Sequence, residues 1–143
     1  MTVPGPAVNG TKAVAYIGGK YSLHRSIVGK TPQPTPIIAF RTQQLPIAQA
    51  VAAAHVMDNW FRPAVMGALQ TSDHRVRHAL SVIIKATICR NFQRTVFDVS
   101  ERCGAQGTFE HNYMARAEVC ALSPKLVRNL ITLLERRQGC HHC

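Results

Sequence analysis

Apolar residues recur along this chain at spacings of three and four and nowhere in sustained alternation, so helices are the regular elements the pattern predicts. The longest signal runs from Ile37 to about Leu69, where Ile47, Val51, Ala54, Met57, Phe61, Val65 and Leu69 make one stripe. Pro46 and Pro63 fall inside it and predict a kink near each, or a helix in two pieces. Thr71, Ser72 and Asp73 read as a turn and cap. A helix from about His74 to Arg102 follows, with Val82, Ala86, Cys89, Phe92, Val96, Val99 and Cys103 as a seam close to a coiled-coil rhythm. An earlier helix fits Lys12 to Ile27, capped by Thr11 and carrying Val14, Ile17, Tyr21 and Leu23. A last one fits Ser123-Pro124 to about Arg137, with serine at the cap and proline at the first helical position. Four such stripes with short joins predict an all-α fold, an antiparallel helical bundle.

Glycine and proline punctuate this plan. Gly18 and Gly19 lie inside the first helix, where each costs about 1 kcal/mol against alanine and marks a close helix contact. Thr31-Pro32-Gln33-Pro34-Thr35-Pro36 reads as a stiff extended connector, because each proline fixes its own φ and biases its predecessor away from helix. Residues 1–10, rich in proline and glycine, read as a flexible N-terminus. Residues 11–138 then form the bundle domain and 139–143 a tail. Gly104 and Gly107 follow the third helix. They read as a helix C-cap with its turn, or as places where backbone amides approach a ligand or a neighbouring chain.

Composition narrows the class. With 143 residues and 46% apolar content the chain can bury one modest core, and 6% aromatic content favours helices over strands. The net charge of +10, from 17 Lys and Arg against 7 Asp and Glu, suits anionic partners. The cations are scattered, with no run longer than Arg136-Arg137, so a solvated basic face is favoured over a nucleic-acid-binding module. Five cysteines at irregular spacing suggest a reducing compartment, with Cys89 and Cys103 acting as small buried hydrophobes. The N-terminus lacks the pattern of a secretion signal and no apolar stretch reaches the ~18 residues that span a bilayer, so a soluble intracellular protein without a membrane partner is expected. Cys140-His141-His142-Cys143, and Asp73 with His74 and His78, offer metal-ligand residue types, but adjacent histidines seldom reach one ion and no metal site is expected.

Three phrases then occur in order. Tyr21-Ser22-Leu23-His24-Arg25-Ser26-Ile27-Val28-Gly29 resembles the Y-x-x-x-R-x-x-x-G stretch in the C-terminal helical domain of acyl-CoA dehydrogenases and acyl-CoA oxidases. Pro36-Ile37-Ile38-Ala39-Phe40-Arg41-Thr42-Gln43-Gln44 resembles their P-[IL]-x-x-[FY]-Q-x-x-Q, and Cys103-Gly104-Ala105-Gln106-Gly107 resembles their C-G-G-x-G. The resemblance covers about residues 11–115. It implies the bundle through which that family assembles, hence a homo- or hetero-oligomer with related chains. It also implies FAD held between subunits, with Arg25 on the pyrophosphate, Gln44 on the same half of the cofactor, and Gly104 and Gly107 letting the backbone close on it. Arg41 stands where the family commonly has glutamine, and Ala105 replaces a glycine.

By the same resemblance the chain is an acyl-CoA dehydrogenase or oxidase-like oxidoreductase acting on an acyl-CoA substrate in peroxisomal-type, mitochondrial or secondary-metabolite acyl-chain processing. That chemistry needs a carboxylate to take the α-proton. Glu118 is the positional candidate, although it comes early and lacks the glycine that follows the family's base. The family also places a helical domain and a β-barrel before this bundle, and 143 residues do not contain them. A truncated enzyme, a non-catalytic helical subunit that associates with full-length relatives, and a small basic nucleic-acid-binding module are the readings carried forward.

Overall fold

The computed structural model of the chain describes residues 4–29, 33–109 and 111–122. These are mostly helical, as the apolar spacing predicts. Three long helices, α1 (Pro4–His24), α2 (Arg41–Gln70) and α3 (His74–Arg102), form the body, followed by a single turn, α4 (Ala105–Thr108), and a short α5 (Tyr113–Leu122). Two two-residue strands, β1 (Ser26–Ile27) and β2 (Thr35–Pro36), pair antiparallel with Ser26 opposite Pro36. The predicted last helix and the 139–143 tail with its Cys-His-His-Cys sequence lie outside the described residues.

Helix α1 begins at Pro4, well before the expected cap at Thr11 and within the segment expected to be flexible. Prolines are compatible with a first helical turn, whose amides have no intrahelical partner to lose. Ala7 and Val8 are buried there. Thr11 is a core residue, 1% exposed, with its hydroxyl donating to the Ala7 carbonyl at 2.9 Å. The helix stops at His24 because Ser26 and Ile27 turn to pair with the end of the proline connector.

Helix α2 runs unbroken for 30 residues through Pro46 and Pro63, contrary to the expected break. Each proline removes one backbone bond, and burial along the rest of the helix offsets that loss. Its buried positions are Gln43, Ile47, Ala50, Ala54 and Ala68. The stripe therefore leaves the expected line at Val51 and Leu69, which are 42% and 58% exposed. Helix α3 keeps its expected bounds, and Asp73 caps it by accepting the Arg75 amide at 2.8 Å. The C-terminal half of its seam is as expected, with Val96, Val99 and Cys103 buried. In the N-terminal half Ile84 and Ile88 point inward in place of Val82 and Ala86.

Contacts fix the arrangement. Ser22 meets Gln43 and Lys12 meets Asp58, so α1 and α2 are antiparallel. Gly10 lies under Phe92 and Gly18 under Val99, so α1 and α3 are parallel. One core cluster joins Val14, Ala15, Ala50, Val96, Val99, Cys103, Met114 and Ala117; another joins Ala7, Val8, Ala68, Ile84 and Ile88. Helix α5, which the apolar spacing did not predict, places Met114 fully inside the first cluster. Among the described residues no helix is long and apolar enough to cross a membrane.

The two adjacent glycines of α1 differ sharply in what surrounds them. A Cβ at Gly18 would overlap Val99 Cγ1, whereas at Gly19 the nearest atom, Ile47 Cγ2, is 3.9 Å away. Gly18→Ala is therefore expected to destabilise by about 1–3 kcal/mol through overpacking. Gly19→Ala should be neutral or stabilising by up to about 1 kcal/mol through helix propensity. Urea midpoints of the two variants test this, and equal shifts would refute the helix contact.

Candidate functional site

The residues named by the family resemblance gather at one end of the bundle, where α1 and α3 finish and α2 begins. The Arg25 amide donates to the Tyr21 carbonyl at 2.8 Å, and the Arg25 carbonyl accepts from Ile37 at 2.8 Å. With the β1–β2 pair, this ties the exit of α1 to the entrance of α2. A 3₁₀ turn at Ile37–Ala39 leads into α2, whose N-cap residue, Phe40, offers no side-chain cap. The first turn of α2 carries no acidic residue. Its leading amides are consequently a positive pole.

Below this surface lies a polar clamp. Gln43 is 9% exposed, and its Nε2 donates to Ser22 Oγ at 2.8 Å and to the Arg102 carbonyl at 3.1 Å. Ser22, fully buried, donates in turn to the Gly18 carbonyl at 2.8 Å. The Arg102 carbonyl belongs to the last turn of α3, where no further helical amide is available. One side chain thus joins the ends of three helices. The sequence reading chose Gln44, which is exposed, while its neighbour Gln43 makes the buried contacts. The spacing held the clue: Gln43 stands four residues before Ile47, on the same stripe as Ala50 and Ala54.

Gly104 ends α3 with φ +59° and open space around it, a conformation that side-chain-bearing residues rarely adopt. Gly107 is buried, and the place its Cβ would take is 2.5 Å from the Ser100 carbonyl oxygen of the same chain. Both glycines thus have a conformational or packing reason within the fold. The turn continues with Asn112, which donates to the Gln106 carbonyl at 2.7 Å and accepts the Met114 amide at 3.1 Å. Met114 Sδ then rests 3.7 Å from Cys103 Sγ. Arg25 and Gln44 are exposed on the same end, and the Arg25 guanidinium has no polar partner among the described residues. Glu118 falls in α5, with its side chain outside the described residues.

Two other places were open to chemistry. A groove of about 180 Å³ between α2 and α3 is lined by Pro46, Gln49, Ala53, Asn91, Arg94 and Asp98, among others. Asn91 Nδ2 is buried without a partner, and Arg94 pairs with Asp98 at 3.7 Å. No group of three or more metal-ligating side chains occurs among the described residues, and Asp73 is occupied in capping α3. No protein-family model, curated protein or solved structure matches the chain.

Cys103 is buried and Cys89 half-buried, and burial pushes both thiols up from their ordinary value of 9.0. The unfolded chain therefore loses these protons first as pH rises. The stability contributed by the neutral thiols is complete below 9.0 and is lost as pH climbs through the raised folded values. The urea midpoint is expected to fall above that point, and Cys103→Ala should remove part of the fall. An identical pH profile in the variant would contradict the assignment. In the same assay Gly104→Ala should cost about 1–3 kcal/mol, the usual penalty for a forced glycine conformation.

Proposed function

We propose that the chain is acyl-CoA dehydrogenase or oxidase-like and that this end of the bundle receives the phosphate-bearing half of FAD. The observation that carries the reading is the uncapped start of α2 beside the unpaired Arg25. Helix amides and a guanidinium are what a pyrophosphate requires, the first as fixed donors and the second as a forked cation. Arg41, exposed at the first position of α2, adds a second cation. Gln44 would donate from its amide to the same half of the cofactor. The open surface at Gly104 leaves room for a phosphate to approach the turn, and Gly107 serves by holding that turn against Ser100.

The flavin, when bound, supplies a hydride acceptor for the β-carbon of an acyl thioester. This chain's part would be to fix the phosphates and to offer Glu118 as the candidate base for the α-proton. The three long helices among the described residues would form one wall of such a site. Oxidation of acyl-CoA would also need the remaining walls, which exclude water from the reacting atoms. A non-catalytic helical subunit joined to full-length relatives is the second reading, favoured by large apolar residues such as Val56 and Met66, 60% and 56% exposed.

FAD titration followed by flavin fluorescence tests the reading, with the chain alone and mixed with a three-domain acyl-CoA dehydrogenase. Arg25→Ala is expected to weaken binding about tenfold or more, since hydrogen bonds to charged groups contribute roughly 1.5–3 kcal/mol. Far-UV circular dichroism should be unchanged, because Arg25 is exposed. Equal binding by variant and parent, or no uptake of FAD in either setting, would overturn the proposal.

A further inference from the structure

Helix α3 carries a second heptad line, on its outer side. Val76, Ile83, Arg90 and Phe97 stand seven residues apart, and Ala79 and Ala86 follow the first two by three residues. All six are exposed, with Val76, Ile83 and Phe97 at 46%, 56% and 52%. Gln93, next in the series, is half-buried and closes the line. The buried positions of the same helix, among them Ile84, Ile88 and Thr95, point the other way, into the bundle. A repeat of seven with apolar first and fourth positions is the pattern by which one helix packs along another. From Val76 to Phe97 the line runs about 32 Å, at roughly 1.5 Å per residue.

The charges around this line have one sign. From His74 to Phe97 the chain has five Lys and Arg and no carboxylate. Arg90 lies within the line and Arg75 and Arg94 flank it, all three exposed. The first carboxylates beyond it are already paired, Asp98 with Arg94 at 3.7 Å and Glu101 with Arg102 at 3.4 Å. The α3 of a second copy would bring the same cations along this line. Residues 123–143 of the chain itself carry four Lys and Arg against Glu135 alone. We infer that the outer face of α3 docks an acidic amphipathic helix of another protein. A carboxylate of that helix faces Arg90, and its aliphatic residues cover Ile83 and Phe97. A cation within a helix seam selects its partner, because only an opposite charge compensates its loss of water. Arg75 and Arg94 steer the same partner from the edges. The face is one helix wide, at the small end of specific interfaces, so association in the micromolar range is expected. The inference rests on α3 alone and not on the cofactor reading.

The probe is a synthetic four-heptad peptide with leucine at the first and fourth positions and glutamate at the fifth and seventh. One central first-position leucine is replaced by glutamate to meet Arg90, and the remaining glutamates keep the peptide from pairing with itself. Anisotropy of the end-labelled peptide against the full chain, under reducing conditions, should give a Kd of about 10–100 μM at low salt. Arg90→Glu should weaken this binding about tenfold or more and should instead favour the peptide whose central glutamate is lysine. Ile83→Lys adds a cation and should still weaken binding, because the line is apolar there. Both side chains are exposed, so circular dichroism should be unchanged in each variant. No binding of the acidic peptide would overturn the inference, whether residues 123–143 or nothing at all covers the face. So would equal binding by Arg90→Glu, or tighter binding by Ile83→Lys, which marks attraction to any polyanion. A duplex oligonucleotide or anionic phospholipid vesicles, held more tightly than the peptide and released by Arg90→Glu, would overturn it in favour of that partner.

Discussion

The fold depends on the buried amide of Gln43. Its two N–H groups are divided between Ser22 at the end of α1 and the last exposed carbonyl of α3, so the start of α2 is pinned to both other long helices at once. Buried polar groups of this kind contribute little net stability when satisfied and cost much more when one partner is lost. Their larger effect is on uniqueness. An apolar side chain at this position could slide by a turn, whereas an amide with two defined acceptors cannot. Everything exposed at this end, including Arg25, the first turn of α2 and the Gly104 turn, is therefore held in one relative position.

Much of the helical plan was legible in the apolar spacing. The start of α3 follows from Asp73 and its neighbours, and of the two glycines in α1 only Gly18 marks a close approach to α3, while Gly19 sits at ordinary contact distance from Ile47 of α2. What spacing could not resolve was which of two adjacent residues faces inward. On α2 the reading followed the larger side chains, Val51 and Leu69. The interior instead took Ala50 and Ala68, because small residues let the helices come close enough to fill the core. The same bias toward size and motif passed over Gln43, a polar residue on a core stripe, and preferred Gln44. The prolines misled in a different way. They signal a cost to the helix, and only packing decides whether that cost is met. Helix α5 was missed because its first turns follow a glycine-rich turn and offer little periodic signal of their own.

Charge and packing divide the molecule between two kinds of surface. The bundle end concentrates an unpaired cation and free helix amides, a place for an anion. The outer side of α2 carries few charges and several exposed aliphatic groups. Small residues inside α2 are the common cause: placing alanines at the core leaves Leu45, Val56 and Met66 for the outside.

The glycine contacts of α1 also constrain the order in which the chain can fold. Gly18 finds its cover in Val99, and Gly10 in Phe92, both more than half the chain away. During synthesis at about 5–20 residues per second, α1 leaves the ribosome several seconds before its partner surface exists. Helix α2 follows sooner and already offers α1 the Ser22–Gln43 and Lys12–Asp58 contacts, but the faces at Gly10 and Gly18 stay bare until Phe92 and Val99 arrive. For that interval the bare Val8, Val14 and Ala15 surface is what nascent-chain chaperones would encounter.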